Sequence, residues 1–195
     1  MKNSQNRITS KKIILVGDSG VGKTSLINTY KNLPHPLSNT IACQIFDATI
    51  RYLDVEIPLS IWDTAGEEKF QAIQPFYFRS VECAILVYDQ TKLSTFENMK
   101  KIHKSLVDDY GIDKFVVADN KCDQDEEVPF NEAKQWCKEN SIRIIRTSAA
   151  TGLNVPNLFL AVGEIVAVTD HAVENCVRLE VERVHNPRSD LFCCS

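Results

Sequence analysis

Eight consecutive residues near the start of the chain have the spacing of a loop that binds phosphate groups. Residues 17–24 read G-D-S-G-V-G-K-T and fit the pattern G-x-x-x-x-G-K-[ST]. The glycines allow the backbone to curl closely around oxygens, and successive N–H groups can then point at one anion. We expect Lys23 to contact the terminal phosphates and the Thr24 hydroxyl to contact Mg²⁺. The predicted phosphate-binding residues are Ser19, Gly20, Val21, Gly22, Lys23, Thr24 and Ser25.

A second motif lies at the end of a later strand-like run. Residues 63–66 read D-T-A-G. The carboxylate of Asp63 can hold Mg²⁺, usually through a water, and the N–H of Gly66 can meet a γ-phosphate. A strand-end turn with a solvated Asp is the alternative, but the position after the phosphate loop favours a metal ligand.

Two further motifs distinguish guanine from adenine. Residues 120–123 read N-K-C-D, and residues 148–150 read S-A-A. Asp123 carries two acceptor oxygens, which match the N1–H and N2–H₂ donors that guanine has and adenine lacks. The stem of Lys121 can lie along the base, and the N–H of Ala149 can meet guanine O6. Either motif alone could be a polar loop. Together, and in this order, they predict guanine recognition by Asn120, Lys121, Asp123, Ser148, Ala149 and Ala150.

Alternating strand-like and helix-like segments must position these motifs. Apolar runs at residues 12–16, 83–88 and 115–118 predict buried strands, and residues 142–145 predict a further strand. Residues 41–51 and 55–62 predict a hairpin. A capping box at residues 94–97 predicts a helix start. Asn154 is expected to cap the last helix. The apolar stripe of the longest helix comprises Phe96, Met99, Ile102, Leu106, Val107 and Tyr110. The alternation predicts an α/β fold with helices on both faces of a mostly parallel sheet.

Length and composition indicate one globular domain. The chain has 195 residues, of which 44% are hydrophobic and 25% charged, and a net charge of −4. No basic excess is present, so we expect no nucleic-acid partner. No apolar h-region follows the first residues, so we expect no secretion, and no apolar run reaches the roughly 20 residues of a membrane span. Seven cysteines without metal-ligand spacing favour reduced thiols. We expect a flexible arm at residues 1–10, a domain at 11–170 and a tail at 171–195.

The motifs resemble those of the Rab branch of the Ras superfamily of small GTPases, over residues 11–168. The supporting runs are I-W-D-T-A-G-E-E-K-F at 61–70, F-Y-F-R at 76–79 and L-V-Y-D-Q-T at 86–91. The resemblance implies the P-loop GTPase (G-domain) fold, with a six-stranded sheet, one antiparallel edge strand and five helices. It implies GTP/GDP and Mg²⁺ as cofactors and two mobile switch segments. The first segment would surround Thr40, whose hydroxyl would join Thr24 on Mg²⁺. The second segment would span residues 66–79.

The resemblance also implies partners and a place in the cell. The GTP form would recruit effectors in vesicle traffic, and an exchange factor and a GTPase-activating protein would change its state. A GDP-dissociation inhibitor or escort protein would carry the chain between the cytosol and the cytoplasmic face of an intracellular membrane. The chain ends F-C-C-S, which fails the C-a-a-X spacing but resembles the Rab pattern for double geranylgeranylation at Cys193 and Cys194. Two lipids anchor stably where one does not.

Several positions depart from the family pattern. Glu67 stands where the family has Gln, which orients the attacking water and donates a hydrogen bond to the transition state. An ionised Glu has no N–H to donate, so we expect slow intrinsic hydrolysis with Glu67 and Lys23 as the catalytic residues. The alternative is a guanine-nucleotide-dependent scaffold that hydrolyses slowly or not at all. Thr40 follows Thr24 by 16 residues, two fewer than usual, and Ala150 replaces a usual Lys.

Overall fold

A single six-stranded sheet forms the centre of the fold. The computed structural model describes residues 9–34, 43–53, 55–64 and 75–167. The strands are β1 Lys11–Val16, β2 Gln44–Tyr52, β3 Val55–Asp63, β4 Cys83–Asp89, β5 Phe115–Asn120 and β6 Arg143–Arg146. The helices are α1 Lys23–Tyr30, α2 Leu93–Tyr110, α3 Phe130–Glu139 and α4 Val155–Ala167, with a 3₁₀ helix at Pro75–Phe78.

The sheet is parallel except at one edge. Its strand order is β2-β3-β1-β4-β5-β6, and β2 pairs antiparallel with β3 through the predicted hairpin. The remaining pairs are parallel. These features confirm the predicted mostly parallel sheet with an antiparallel edge strand. Five helices were expected, and the described residues contain four α-helices and the 3₁₀ helix.

Helices cover both faces of the sheet, as predicted. Every residue of β4 and of β5 is buried, because these apolar runs pack against side chains on both sides. On one face the core includes Leu26 of α1 and Phe159 of α4. On the other face it includes Phe96 and Met99 of α2 and Cys137 of α3. The strands β4 and β5 are therefore held from both faces, which makes their ends a rigid base for loops.

The start of α2 differs from the prediction. The helix begins at Leu93 after Lys92, so Ser94 lies inside the first turn and the predicted capping box is wrong. The hydroxyl of Thr95 stabilises this turn instead. It accepts from the N–H of Asp89 at 3.1 Å and donates to the carbonyl of Lys92 at 2.8 Å. This contact ties α2 to the end of β4.

Two other helix details refine the predictions. Val107 belongs to the predicted apolar stripe of α2 but is 40% exposed, and the buried apolar residues of the helix are Phe96, Met99, Ile102 and Leu106. Asn154 does lie directly before α4. Its side chain donates to the carbonyl of Arg146 at 2.9 Å and accepts from the side chain of Asn157 at 3.1 Å. Asn154 thus ties the end of β6 to the start of α4.

The parallel strands end at one edge of the sheet. Gly17 follows β1, Asp63 ends β3, Asp89 ends β4 and Asn120 ends β5, while Thr147 follows β6. Ligands bind at the carboxyl ends of strands in open α/β sheets, so the fold brings the predicted motifs together. Within the described ranges, no helix combines the length and apolar character needed to cross a bilayer.

Candidate nucleotide-binding site

Glycine is required at two positions of the loop after β1. Gly17 has φ +147°, and a Cβ there would lie 2.1 Å from the carbonyl oxygen of Val87 on β4. Gly22 has φ +102°, and a Cβ there would lie 2.3 Å from Nδ2 of Asn120. L-residues rarely adopt such φ values. The loop is thus pressed against β4 and against the first residue of the N-K-C-D motif.

Lys23 lies at the first position of α1, with its amine folded back over the loop. The residue is 5% exposed, and Nζ donates to the carbonyls of Gly17 and Asp18, each at 2.8 Å. Burial lowers the pKa of Lys23 to about 8, although Asp63 and Asp18 oppose this shift. These contacts occupy two of the three N–H donors of the ammonium. One remains for an anionic oxygen beside the loop.

Thr24, in the first turn of α1, contacts Asp63 at the end of β3. The Thr24 hydroxyl donates to Oδ2 of Asp63 at 2.5 Å, and Asp63 is fully buried. The hydroxyl of Thr64 donates to the carbonyl of Leu15 at 2.7 Å, which ties the end of β3 to β1. A hydroxyl and a carboxylate are hard oxygen ligands of the kind Mg²⁺ takes. The donor set at this point therefore fits the predicted metal.

Asn120 connects the phosphate loop to the base motifs. Its Nδ2 donates to the carbonyl of Val21 at 2.8 Å. Its Oδ1 accepts from the hydroxyl of Thr147 and the N–H of Ala149, both at 3.2 Å. The side chain is buried and braces three segments. The N–H of Ala149, expected to meet guanine O6, therefore already has an acceptor, which a base oxygen would share.

Lys121 is fixed by an ion pair that the sequence motifs did not include. Its Nζ lies 2.6 Å from Oδ2 of the buried Asp89. Burial alone would raise the pKa of Asp89, but hydrogen bonds from Lys121 and Thr91 lower it. The carboxylate thus stays ionised, and it holds the Lys121 side chain at the end of β4.

A cavity of about 360 Å³ lies between the phosphate loop and the base motifs. Asp123 is exposed and lines this cavity. Ser148 is buried, and its Oγ accepts from the N–H of Thr151 at 3.1 Å, so it shapes the loop after β6. The cavity lining includes Gly20, Gly22, Ser25, Asn120, Lys121, Asp123, Ala149 and Ala150.

The fold thus brings most of the predicted site residues together. Thr40, Gly66, Glu67, Cys193 and Cys194 lie outside the described residues. Sequence reasoning missed the roles of Asp89, Thr147 and Arg146, whose contacts cross between strands. The available signal was weak: a polar residue at the end of an apolar run, such as Asp89 after residues 83–88.

Comparison with known proteins identifies the family. A profile of the Ras family matches residues 12–167. Ras-related protein Rab-31 of Homo sapiens is 33% identical over 183 residues, which cover 90% of this chain and 93% of that protein. Ras-related protein RABG3b of Arabidopsis thaliana is 34% identical over 202 residues, covering 97% and 100%. Ras-related protein Rab5A of Oryza sativa subsp. japonica is 35% identical over 162 residues, covering 80% of each. The chain belongs to the Ras family and is a Rab-like small GTPase.

Proposed function

We propose that this chain binds GTP and GDP with Mg²⁺ and acts as a Rab-type switch that recruits effectors in its GTP form. The observation that carries the proposal is the Asn120 side chain. It bonds to the phosphate loop at Val21 and to the base loop at Ala149. A nucleotide would fit the cavity that Asp123 also lines, with its phosphates at the phosphate loop and its base at the base loop.

Each part of the site has a distinct task in nucleotide binding. Bound Mg²⁺ would be held by Thr24, Thr40 and Asp63 and would neutralise phosphate charge. Lys23 supplies a buried positive charge whose attraction for a phosphate is stronger than in water. The Asp123 carboxylate accepts the two donors of guanine, and adenine leaves those oxygens without a partner.

Nucleotide choice can be tested directly by binding. We expect GTP and GDP to bind with Mg²⁺ at least about 100-fold more tightly than ATP, because only guanine satisfies Asp123. Competition against a fluorescent GDP analogue measures all three on one scale. Equal affinity for ATP would overturn the guanine assignment.

The rate of hydrolysis depends on Glu67. We propose that intrinsic GTP cleavage is slow, because an ionised Glu cannot donate to the transition state as Gln does. An activating protein that supplies its own Arg and Gln would still accelerate cleavage. Single-turnover GTP cleavage of wild type and Glu67→Gln measures the difference, with Glu68→Gln as the matched control. Equal rates for wild type and Glu67→Gln would show that Glu67 is not limiting.

A second function is favoured by the same residue. If GTP is retained and no Rab-type activating protein accelerates its cleavage, the chain is a nucleotide-dependent scaffold whose binding state alone matters. Adding the activating protein to the single-turnover assay separates the two functions. Acceleration supports the switch, and tight retention without acceleration supports the scaffold.

The terminal cysteines suggest membrane attachment. We propose that Cys193 and Cys194 each carry a geranylgeranyl group, cycling the chain between the cytosol and the cytoplasmic face of an intracellular membrane. Two lipids anchor stably, whereas one binds reversibly. Partition into vesicles after prenylation should fall stepwise from wild type to Cys193→Ser to the double variant. Unchanged partition of the double variant would exclude these cysteines as the anchor.

A further inference from the structure

An ion pair with a buried carboxylate joins the ends of β5 and β6, directly beside both base motifs. Asp119 and Arg146 are partners in the register of these parallel strands, and Arg146 Nε lies 3.2 Å from Asp119 Oδ2. Asp119 is 1% exposed, whereas the side chain of Arg146 is 35% exposed. The pair therefore has a buried anchor and an arm that reaches the surface. Asp119 precedes Asn120, and Arg146 lies two residues before Ser148.

The arm of Arg146 contacts the loop that carries Asp123. Its Nη2 donates to Oε1 of Gln90 at 2.6 Å and to Oε2 of Glu126 at 2.9 Å. Gln90 in turn donates through Nε2 to the carbonyl of Gln124 at 2.7 Å. Gln124 is the neighbour of Asp123 in the chain. A continuous series of hydrogen bonds thus runs from Arg146 to the backbone beside the predicted base-recognising carboxylate.

The backbone of Arg146 contacts the other base loop. Its carbonyl accepts from the side chain of Asn154, which closes the loop containing residues 148–150. The next residue, Thr147, donates from its N–H to the carbonyl of Asp119 at 2.7 Å. The carbonyl of Thr147 accepts from the N–H of Cys122 at 3.1 Å. Arg146 therefore lies where the two base loops are held to each other.

We propose that Arg146, anchored by Asp119, is a positioning residue for base recognition that sets the distance between the Asp123 loop and the Ala149 loop. This proposal rests on the guanine-nucleotide binding proposed above. Arg146 does not contact the base in this role. It acts through Gln90 and Glu126, and a displaced Asp123 would lose its directional contact with guanine while the phosphate loop keeps its own.

The buried carboxylate of Asp119 is costly to keep ionised, so its charge depends on pH. Burial is the main cause that raises the pKa of Asp119 to about 6. Glu126 and Asp89 add to this increase, and Tyr88 and Arg146 act against it. Cys137 of α3 and Cys122 also face this carboxyl. Among the described residues, Oδ1 of Asp119 has no hydrogen-bond partner. Protonation of Asp119 would remove the charge that holds Arg146.

The first test compares two arginines on one strand. Arg146→Met removes the arm, and Arg143→Met is the matched control, since Arg143 pairs with Glu164 away from the base motifs. We measure release of fluorescent GDP and the affinity ratio of GDP to IDP, whose base lacks the N2 amine. We expect Arg146→Met to release GDP about tenfold faster and to lose most of the GDP preference. Arg143→Met should match wild type in both.

The outcomes separate this proposal from the function on which it rests. If wild type fails to bind GDP, the proposed function is overturned. If wild type binds and Arg146→Met matches Arg143→Met, only the positioning role is overturned. An unchanged GDP-to-IDP ratio in a destabilised Arg146→Met would also overturn it, because that pattern marks a structural role alone. Arg146→Lys retains the charge and should restore part of the GDP preference, which guards against a variant that fails to fold.

The second test uses pH to examine the anchor. We expect wild-type GDP release to accelerate from about pH 7.5 to about pH 5.5 as Asp119 takes up a proton. GDP phosphate itself titrates at about pH 6, so the test is the difference between wild type and Asp119→Asn. That variant should release GDP fast at both pH values, with only the phosphate-dependent slope. Identical profiles for the two proteins would overturn Asp119 as the anchor.

Discussion

The phosphate end and the base end of the site are built in different ways. At the phosphate end, Lys23 bonds to carbonyls five and six residues before it, and the loop depends on the φ values of its glycines. At the base end, Asn120 reaches partners 99 and 29 residues away in sequence. The first end is encoded locally, and the second depends on strand register. Substitutions at the phosphate end should therefore act on the loop itself, whereas those at the base end can also act through the residues that support it.

The largest expected effect comes from Gly17→Ala at the phosphate end. The new Cβ would meet the backbone carbonyl of Val87, which cannot move aside as a side chain could. We expect loss of measurable nucleotide binding and a free energy of unfolding lower by about 3 kcal/mol. GDP titration and urea denaturation check both. Gly111→Ala, also at positive φ but in open space after α2, should cost about 1 kcal/mol and leave binding intact.

At the base end, Asp123→Asn should change which base is bound. The amide offers one acceptor and a donor where guanine needs two acceptors, so GTP affinity should fall about 100-fold or more. Xanthosine triphosphate, with a carbonyl in place of the N2 amine, should gain affinity. Competition titrations measure both effects. The nearby exposed Asp125→Asn is the control, and equal losses in the two variants would contradict base recognition by Asp123.

Lys23→Met should separate binding from stability. We expect nucleotide affinity to fall about 30-fold, since a charged hydrogen-bond donor to phosphate is lost. Lys31→Met, at the far end of α1, should leave affinity unchanged. A shift in the Lys31 variant as large as in the Lys23 variant would point to net charge rather than to the site.

The pKa of Lys23 gives the sign of the stability effect. Because burial lowers the pKa to about 8, the folded state binds fewer protons than the unfolded state between about pH 8 and pH 10.5. Without nucleotide, stability from this group rises with pH across that window and is lowest below it. The unfolding free energy of wild type minus that of Lys23→Met should therefore increase by roughly 1 to 3 kcal/mol between neutral pH and about pH 10.5. Urea denaturation without nucleotide that shows a decrease in this difference would contradict this.

The smallest effect on stability is expected at the start of α2, where Thr95 contacts the end of β4. Thr95→Val removes the hydroxyl that bonds Asp89 and Lys92 and should cost about 1 kcal/mol of unfolding free energy. Ser94→Ala should change it by less than about 0.5 kcal/mol, since Ser94 is not the cap. Thermal denaturation compares them. A larger loss for Ser94→Ala would restore the capping box that the sequence predicted.

Local patterns predicted those parts of the molecule that local physics decides. The apolar runs identified the strands, and the Gly-rich spacing identified the loop that directly precedes Lys23. The start of α2 was missed because Thr95 bonds back to Asp89 of another element. Val107 was misplaced because the buried stripe of α2 is narrower than its apolar pattern.

Contacts across strands could not be predicted in this way. The Asp119–Arg146 pair depends on which residues of β5 and β6 lie side by side. The Lys121–Asp89 pair likewise depends on the end of β4 lying beside the end of β5. The spacing of residues in the sequence does not predict the register of β4 with β5 or of β5 with β6.

The position of β1 has a consequence for how the chain is made. This first strand lies in the interior of the sheet, between β3, which ends at Asp63, and β4, which ends at Asp89. During synthesis the apolar strand β1 therefore stays unpaired until β3 and β4 have left the ribosome. Long-range parallel pairing is slow and exposes strand edges to aggregation. The segment that later supports the phosphate loop is thus the one that a chaperone would have most reason to hold.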